Sequence, residues 1–130
     1  MNIASRTYGD VILVELTGRI DYAAGAEFEQ AVLPLVEPAA GSGAGLVFDL
    51  QGVAYISSVG LRVFLVAAKM LRSRGARIAV AHMQPVVEQI MLISRFDKIV
   101  EIFPTVIDAL AALSSDAVAA HRAENRGGSS

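Results

Sequence analysis

The chain has 130 residues, 54% of them hydrophobic, which is enough for one core and too little for two ordinary domains. A formal net charge of −2 and a pI near 5.6 give no bulk reason for nucleic acid or an anionic membrane surface to be a partner. There is no cysteine, which removes disulfide scaffolds, thiol nucleophiles and thiolate metal sites and fits a cytoplasmic chain.

No apolar run follows a basic start at Met1 to Thr7, so export is not expected. The first strand is read around Ile3 to Thr7. A Tyr8-Gly9-Asp10 turn then leads into Val11-Ile12-Leu13-Val14-Glu15-Leu16-Thr17-Gly18, a second strand that ends at glycine, so the pair forms a hairpin. Asp21 precedes a segment in which Phe28, Ala31, Val32, Leu35 and Val36 recur at helical spacing, with Glu27, Glu29 and Gln30 opposite. Pro34 is expected to end or kink this helix, because proline has no N–H and crowds the turn before it. Pro38 to Gly45 reads as a loop.

Gly45 to Leu50 is apolar without alternation, the mark of a strand buried on both faces, and a turn is expected after it. A helix follows from Ser58 to about Ser73, with Arg72 and Arg74 near its negative end and Gly75 as its stop. Arg77 to His82 reads as another buried strand. Pro85 opens a helix carrying Val86, Val87, Ile90 and Met91, and Ile99 to Phe103 forms a short edge strand. Thr105, with Asp108 three residues on, resembles a capping box for a last helix striped by Val106, Ala109, Leu110 and Leu113. The reading is therefore a single α/β domain over residues 1–120, with a small mixed β-sheet of about five strands and about four helices. Residues 121–130 are too polar to offset their ordering entropy and are expected to form a disordered tail. The most apolar region, Leu50 to Leu71, carries Arg62, Lys69 and a turn, so it falls short of the roughly 20 apolar residues a membrane span requires. A mean hydropathy of +0.52 instead suggests an apolar face reserved for a partner.

The most informative junction is Ile56-Ser57-Ser58-Val59-Gly60-Leu61, where two serines stand at the start of an apolar helix. A helix start leaves several N–H groups without intrahelical acceptors and carries a partial positive charge. A serine there can cap the helix or, once phosphorylated, hold a phosphate. With Gly18-Arg19-Ile20-Asp21 and the strand Val47-Phe48-Asp49-Leu50, this junction resembles, in order and spacing, the STAS family, the anti-sigma factor antagonist domains. The resemblance extends from about Ile3 to Ala112.

That resemblance implies that Ser58 is the hydroxyl phosphorylated by a partner kinase, although Ser57 stands where the family usually has aspartate and Val59 replaces a frequent second hydroxyl residue. It implies an anti-sigma factor antagonist working by partner switching, which binds an anti-sigma factor serine kinase while Ser58 is unmodified and is restored by a protein phosphatase. No cofactor, nucleic acid or membrane insertion belongs to this assignment, and a weak homodimer is compatible with it. The alternatives are an accessory subunit of a membrane lipid ABC transporter and a scaffold component of a signalling assembly. Partner-binding candidates are Asp21, Ser57, Val59, Gly60, Arg62, Val66 and Lys69. Of these, Val59, Arg62, Val66 and Lys69 lie along one side of the helix at 100° per residue.

Each candidate also has a structural use. Ser57 and Ser58 suit a cap and turn, Asp21 suits the N-cap of the first helix, Gly18 and Gly60 suit a turn and close helix–sheet packing, and Val59 and Val66 suit a broadly buried helix face. Enzyme chemistry is not expected. Ile56 breaks the G-x-S-x-G pattern, no acid lies between Ser58 and His82, and His82 and His121 alone supply neither a triad nor a zinc site. Gly41 to Gly45 precedes a strand, where a phosphate-binding loop would follow one.

Overall fold

In the computed structural model, which describes residues 1–128, the order of elements is β1 (Asn2–Tyr8), β2 (Val11–Ile20), α1 (Gly25–Ser42), β3 (Gly45–Ile56), α2 (Ser58–Ser73), β4 (Arg77–Ala81), α3 (Pro85–Ile93), a 3₁₀ turn (Phe96–Lys98), β5 (Glu101–Phe103), α4 (Val106–Leu113) and α5 (Ser115–Gly128). The five strands form one mixed sheet in the order β1-β2-β3-β4-β5. Only the β1–β2 pair is antiparallel.

Alternation along the strands divides the core into two layers. Ile12, Val14 and Leu16 of β2, with Leu46, Phe48 and Leu50 of β3, face α1, α2 and α3. Val11, Leu13, Val47, Ala79 and Ala81 face the other way, onto Val106, Ala109 and Leu110 of α4 and Ala117 of α5. Phe64 of α2 anchors the first layer. It meets Phe48 and Phe28 edge-on at centroid distances of 4.9 and 5.3 Å, the geometry that the aromatic quadrupole favours.

The structure departs from the sequence reading at four places. First, α1 runs through Pro34 and Pro38 to Ser42 instead of ending at the first proline. Each proline deprives the carbonyl four residues earlier of its donor. Gln30, Pro34 and Pro38 all lie on the exposed side, so water can serve those carbonyls. Second, β3 does not turn after Leu50. It continues to Ile56 through a register shift opposite Glu15 to Thr17, in which Gln51-Gly52 forms an irregularity of the ladder. The Gln51 N–H donates to Asp49 Oδ1 at 3.0 Å and its carbonyl accepts from Gln84 Nε2 at 2.8 Å, so the disturbed backbone stays satisfied. Third, β2 passes through Gly18 to Ile20, and β5 is shorter than expected.

Fourth, the segment expected to be disordered from residue 121 continues as α5, a fifth helix, up to Gly128; Ser129 and Ser130 lie outside the described residues. Its contacts recur at helical spacing along β1. Ala117 is buried, His121 meets the Tyr8 ring edge-on at 5.1 Å, and Glu124 accepts from Arg6 at 2.5 Å. One contact per turn, apolar at Ala117, aromatic at His121 and ionic at Glu124, is a pattern that a mean-hydropathy argument overlooks.

Gly45 shows how tightly the parallel core is built. Its φ is +130°, and a Cβ there would fall 1.8 Å from the Arg77 carbonyl oxygen, so no side chain fits at the start of β3.

Candidate functional site

The site is built at the carboxyl ends of β2 and β3. In-register pairing of Ile20 with Ile56 carries both strands to the same height, so Asp21 and Ser57 emerge side by side. The Ser57 N–H donates to the Ile20 carbonyl at 2.7 Å, which locks the two exits together.

At this junction the two serines divide the work. Ser57 is buried, has extended backbone and is the N-cap of α2; its Oγ accepts the Gly60 N–H at 3.3 Å. The first intrahelical bond is closed by the Leu61 N–H on the Ser57 carbonyl at 3.0 Å. Ser58 is the first residue of the helix proper and is exposed. The capping role anticipated for either hydroxyl therefore falls to Ser57, and the Ser58 hydroxyl stands beside the amide-rich helix start with no cap to make.

Gly60 is also buried. A Cβ on it would meet Ile20 Cγ2 at 2.7 Å and Ile56 Cγ2 at 3.0 Å, so its lack of a side chain lets α2 lie directly on the ends of β2 and β3. Asp21 is half-buried, and its Oδ1 accepts the Ala24 N–H at 2.9 Å. This fixes the Tyr22-to-Ala24 turn. It does not cap α1, whose N-cap is Ala24 with no side-chain bond. Gly25 then opens α1 against α2, where a Cβ would lie only 2.3 Å from Val59 Cγ1.

The helix stripe is split in its surroundings. Val59 and Val66 are half-buried and, with Val63 and Glu29 of α1, line a small groove of about 50 Å³; Arg62 lines its rim and is exposed, as is Lys69 further along. Junction and stripe therefore share one surface, in which Asp21, Ser58, Val59, Arg62, Val66 and Lys69 are at least partly accessible. Ser57 and Gly60 are buried beneath it.

Tyr22, missed in the sequence reading, belongs to the same surface. It is 82% exposed on the turn that Asp21 holds. An aromatic residue directly after a turn-forming aspartate, outside any apolar periodicity, was the available signal. Arg19, near the end of β2, lies 4.8 Å from the centroid of the Tyr55 ring.

Among the described residues, no helix is long and apolar enough to cross a membrane, and no group of three or more histidine and acidic side chains is placed to hold a metal ion.

The fold has counterparts among known proteins. A family model for the STAS domain matches residues 2–109, and the chain belongs to that family. It is similar to an anti-sigma factor antagonist from Mycobacterium paratuberculosis, with 25% identity over 86% of this chain and 92% of that one and a TM-score of 0.75. A candidate anti-sigma factor antagonist from Thermotoga maritima superposes with a TM-score of 0.77 at 20% identity, covering 85% of this chain and 93% of the other. The Bacillus cell fate determinant SpoIIAA in its phosphorylated form gives 0.62 at 14% identity, over 87% and 100% of the two chains. The last two comparisons speak for the fold alone.

Proposed function

We propose that this protein is an anti-sigma factor antagonist that switches partners through phosphorylation of Ser58. Unmodified, it binds an anti-sigma factor serine kinase in the cytoplasm and so frees a sigma factor. The kinase transfers a phosphoryl group from its own ATP to the Ser58 hydroxyl, and a phosphatase removes it. The chain itself is non-catalytic in this scheme and needs no cofactor.

The observation that carries the reading is the division of labour at the start of α2. With the cap supplied by buried Ser57, exposed Ser58 can be modified without loss of a fold-holding bond. A phosphate adds about −1.5 to −2 charges at that point. The helix N-terminus favours the anion by up to about 2 kcal/mol, and the nearby Asp21 carboxylate opposes it, so the fold changes little in stability. A partner seated over Val59, Arg62 and Tyr22 would instead have to desolvate an unpaired charge. A loss of about 4 kcal/mol there weakens binding roughly a thousandfold.

Incubation of the purified protein with its cognate kinase and ATP, followed by intact mass and site mapping, tests the assignment. One added phosphoryl group at Ser58 is expected. Ser58→Asp is expected to abolish kinase binding while circular dichroism stays at wild type; tight binding by that variant overturns the switch.

A further inference from the structure

On the face of the sheet opposite α1 and α2, the helices leave a cleft between α4 and α5. Its more enclosed part, about 290 Å³, has Leu13, Glu15 and Asp49 among its lining. Its outer part, about 510 Å³, shares Ile107 and His121 with the first and reaches Arg122. Volumes of this order suit a small organic molecule.

Charge is distributed unevenly along it. Glu15 and Asp49 are direct partners in the parallel register of β2 and β3, and they lie on the same face as Leu13 and Val47. Like charges set side by side on neighbouring strands repel. Asp49 has no ion pair among the described residues. Glu15 is reached by Arg6 Nε at 3.5 Å, and the same guanidinium is shared with Glu124 at 2.5 Å. At the other end Arg122 is exposed, and it too has no ion pair among the described residues. Apolar Leu13 lines the inner part and Ile107 lines both. The wall carrying His121 and Arg122 belongs to α5, beyond the residues that the STAS family model matches.

We propose that this cleft binds a small zwitterion, with its ammonium group against Glu15 and Asp49, its apolar spacer over Leu13 and Ile107, and its carboxylate toward Arg122. The inference is independent of the Ser58 switch, since it concerns the opposite face of the sheet.

The test is a titration of the ¹⁵N-labelled full-length protein with ω-amino acids of increasing chain length, with the alkylamines and alkanoates of the same lengths as controls. At least one ω-amino acid is expected to give saturable shifts at the amides of Glu15, Asp49 and His121, with an affinity about tenfold or more above both controls. Glu15→Gln/Asp49→Asn should abolish that advantage over the alkanoate, Arg122→Ala the advantage over the alkylamine, and Ser58→Asp neither. Retention of dispersed spectra by the variants separates loss of the site from loss of the fold. Absence of saturable shifts with every ω-amino acid, or equal affinity for zwitterions and single-charge controls, overturns the proposal.

Discussion

Ser57 Oγ accepts the Gly60 N–H at 3.3 Å from a buried position, while the neighbouring Ser58 is exposed and makes no cap. Two adjacent residues of one type thus carry unequal shares of the fold's stability. Ser57→Ala leaves the Gly60 amide without its acceptor and is expected to cost about 1–2 kcal/mol. Ser58→Ala should stay within about 0.5 kcal/mol of wild type. Urea unfolding of the two variants measures the difference, and equal losses would contradict the assigned cap.

Val59 fills the space that a side chain at residue 25 would need, since a Cβ on Gly25 would approach Val59 Cγ1 to 2.3 Å. Gly25→Ala must push α1 away from α2 or force Val59 from its rotamer, at about 1–3 kcal/mol. Val59→Ala removes the obstructing methyl groups. In that background Gly25→Ala is expected to cost less than about 0.5 kcal/mol, so the double-mutant cycle shows strong coupling. Additive losses would mean that the helices do not touch there.

Arg77 donates to both oxygens of Glu101, from Nε at 2.8 Å and Nη2 at 2.5 Å. This pairing holds the Glu101 carboxyl below its ordinary value, against the opposing effect of partial burial. A carboxyl whose folded value is depressed stabilises fully above its unfolded value of about 4.3, and that contribution fades as pH falls through the lower folded value. Both side chains are more than two-fifths exposed, so the effect stays below about 1 kcal/mol and shrinks with salt. Glu101→Gln should lower stability at neutral pH and flatten its acid limb, which denaturant midpoints at pH 7 and at about pH 3 would reveal.

Much of this molecule is legible in its sequence because periodicity, proline and glycine each leave a mark. The β1–β2 hairpin, α2 from Ser58 to Ser73, Pro85 in the first turn of α3 and the Thr105 cap, whose Oγ1 accepts the Asp108 N–H at 3.1 Å, all follow from local patterns. What stayed hidden depends on tertiary context. Whether Ser57 or Ser58 caps α2 is decided by the Ser57 N–H bond to the Ile20 carbonyl, a long-range contact. Gln51-Gly52 looks like a turn until β2 is present to pair across it, and Pro34 looks like a helix end until its exposed side is known. The accessible surface at the site was partly foreseen through Val59, Arg62, Val66 and Lys69, whereas the exposure of Tyr22 is set by the turn that Asp21 holds, and its place after that aspartate, outside any apolar periodicity, was overlooked.

Docking of α5 makes its own prediction through Tyr8, whose phenol is pushed above its ordinary value first by burial and then by Glu124, with Arg6 pulling the other way. A group with a raised folded value keeps its full stabilising contribution below the unfolded value of about 10 and loses it as pH rises through the folded one. In a Tyr22→Phe/Tyr55→Phe background Tyr8 is the remaining tyrosine, so its ultraviolet titration can be followed alone. It should titrate above pH 10, and Glu124→Ala should bring it part of the way back while burial holds the rest. Were residues 121–126 an undocked tail, Glu124 would be too far from the ring to matter and its substitution would leave the curve in place.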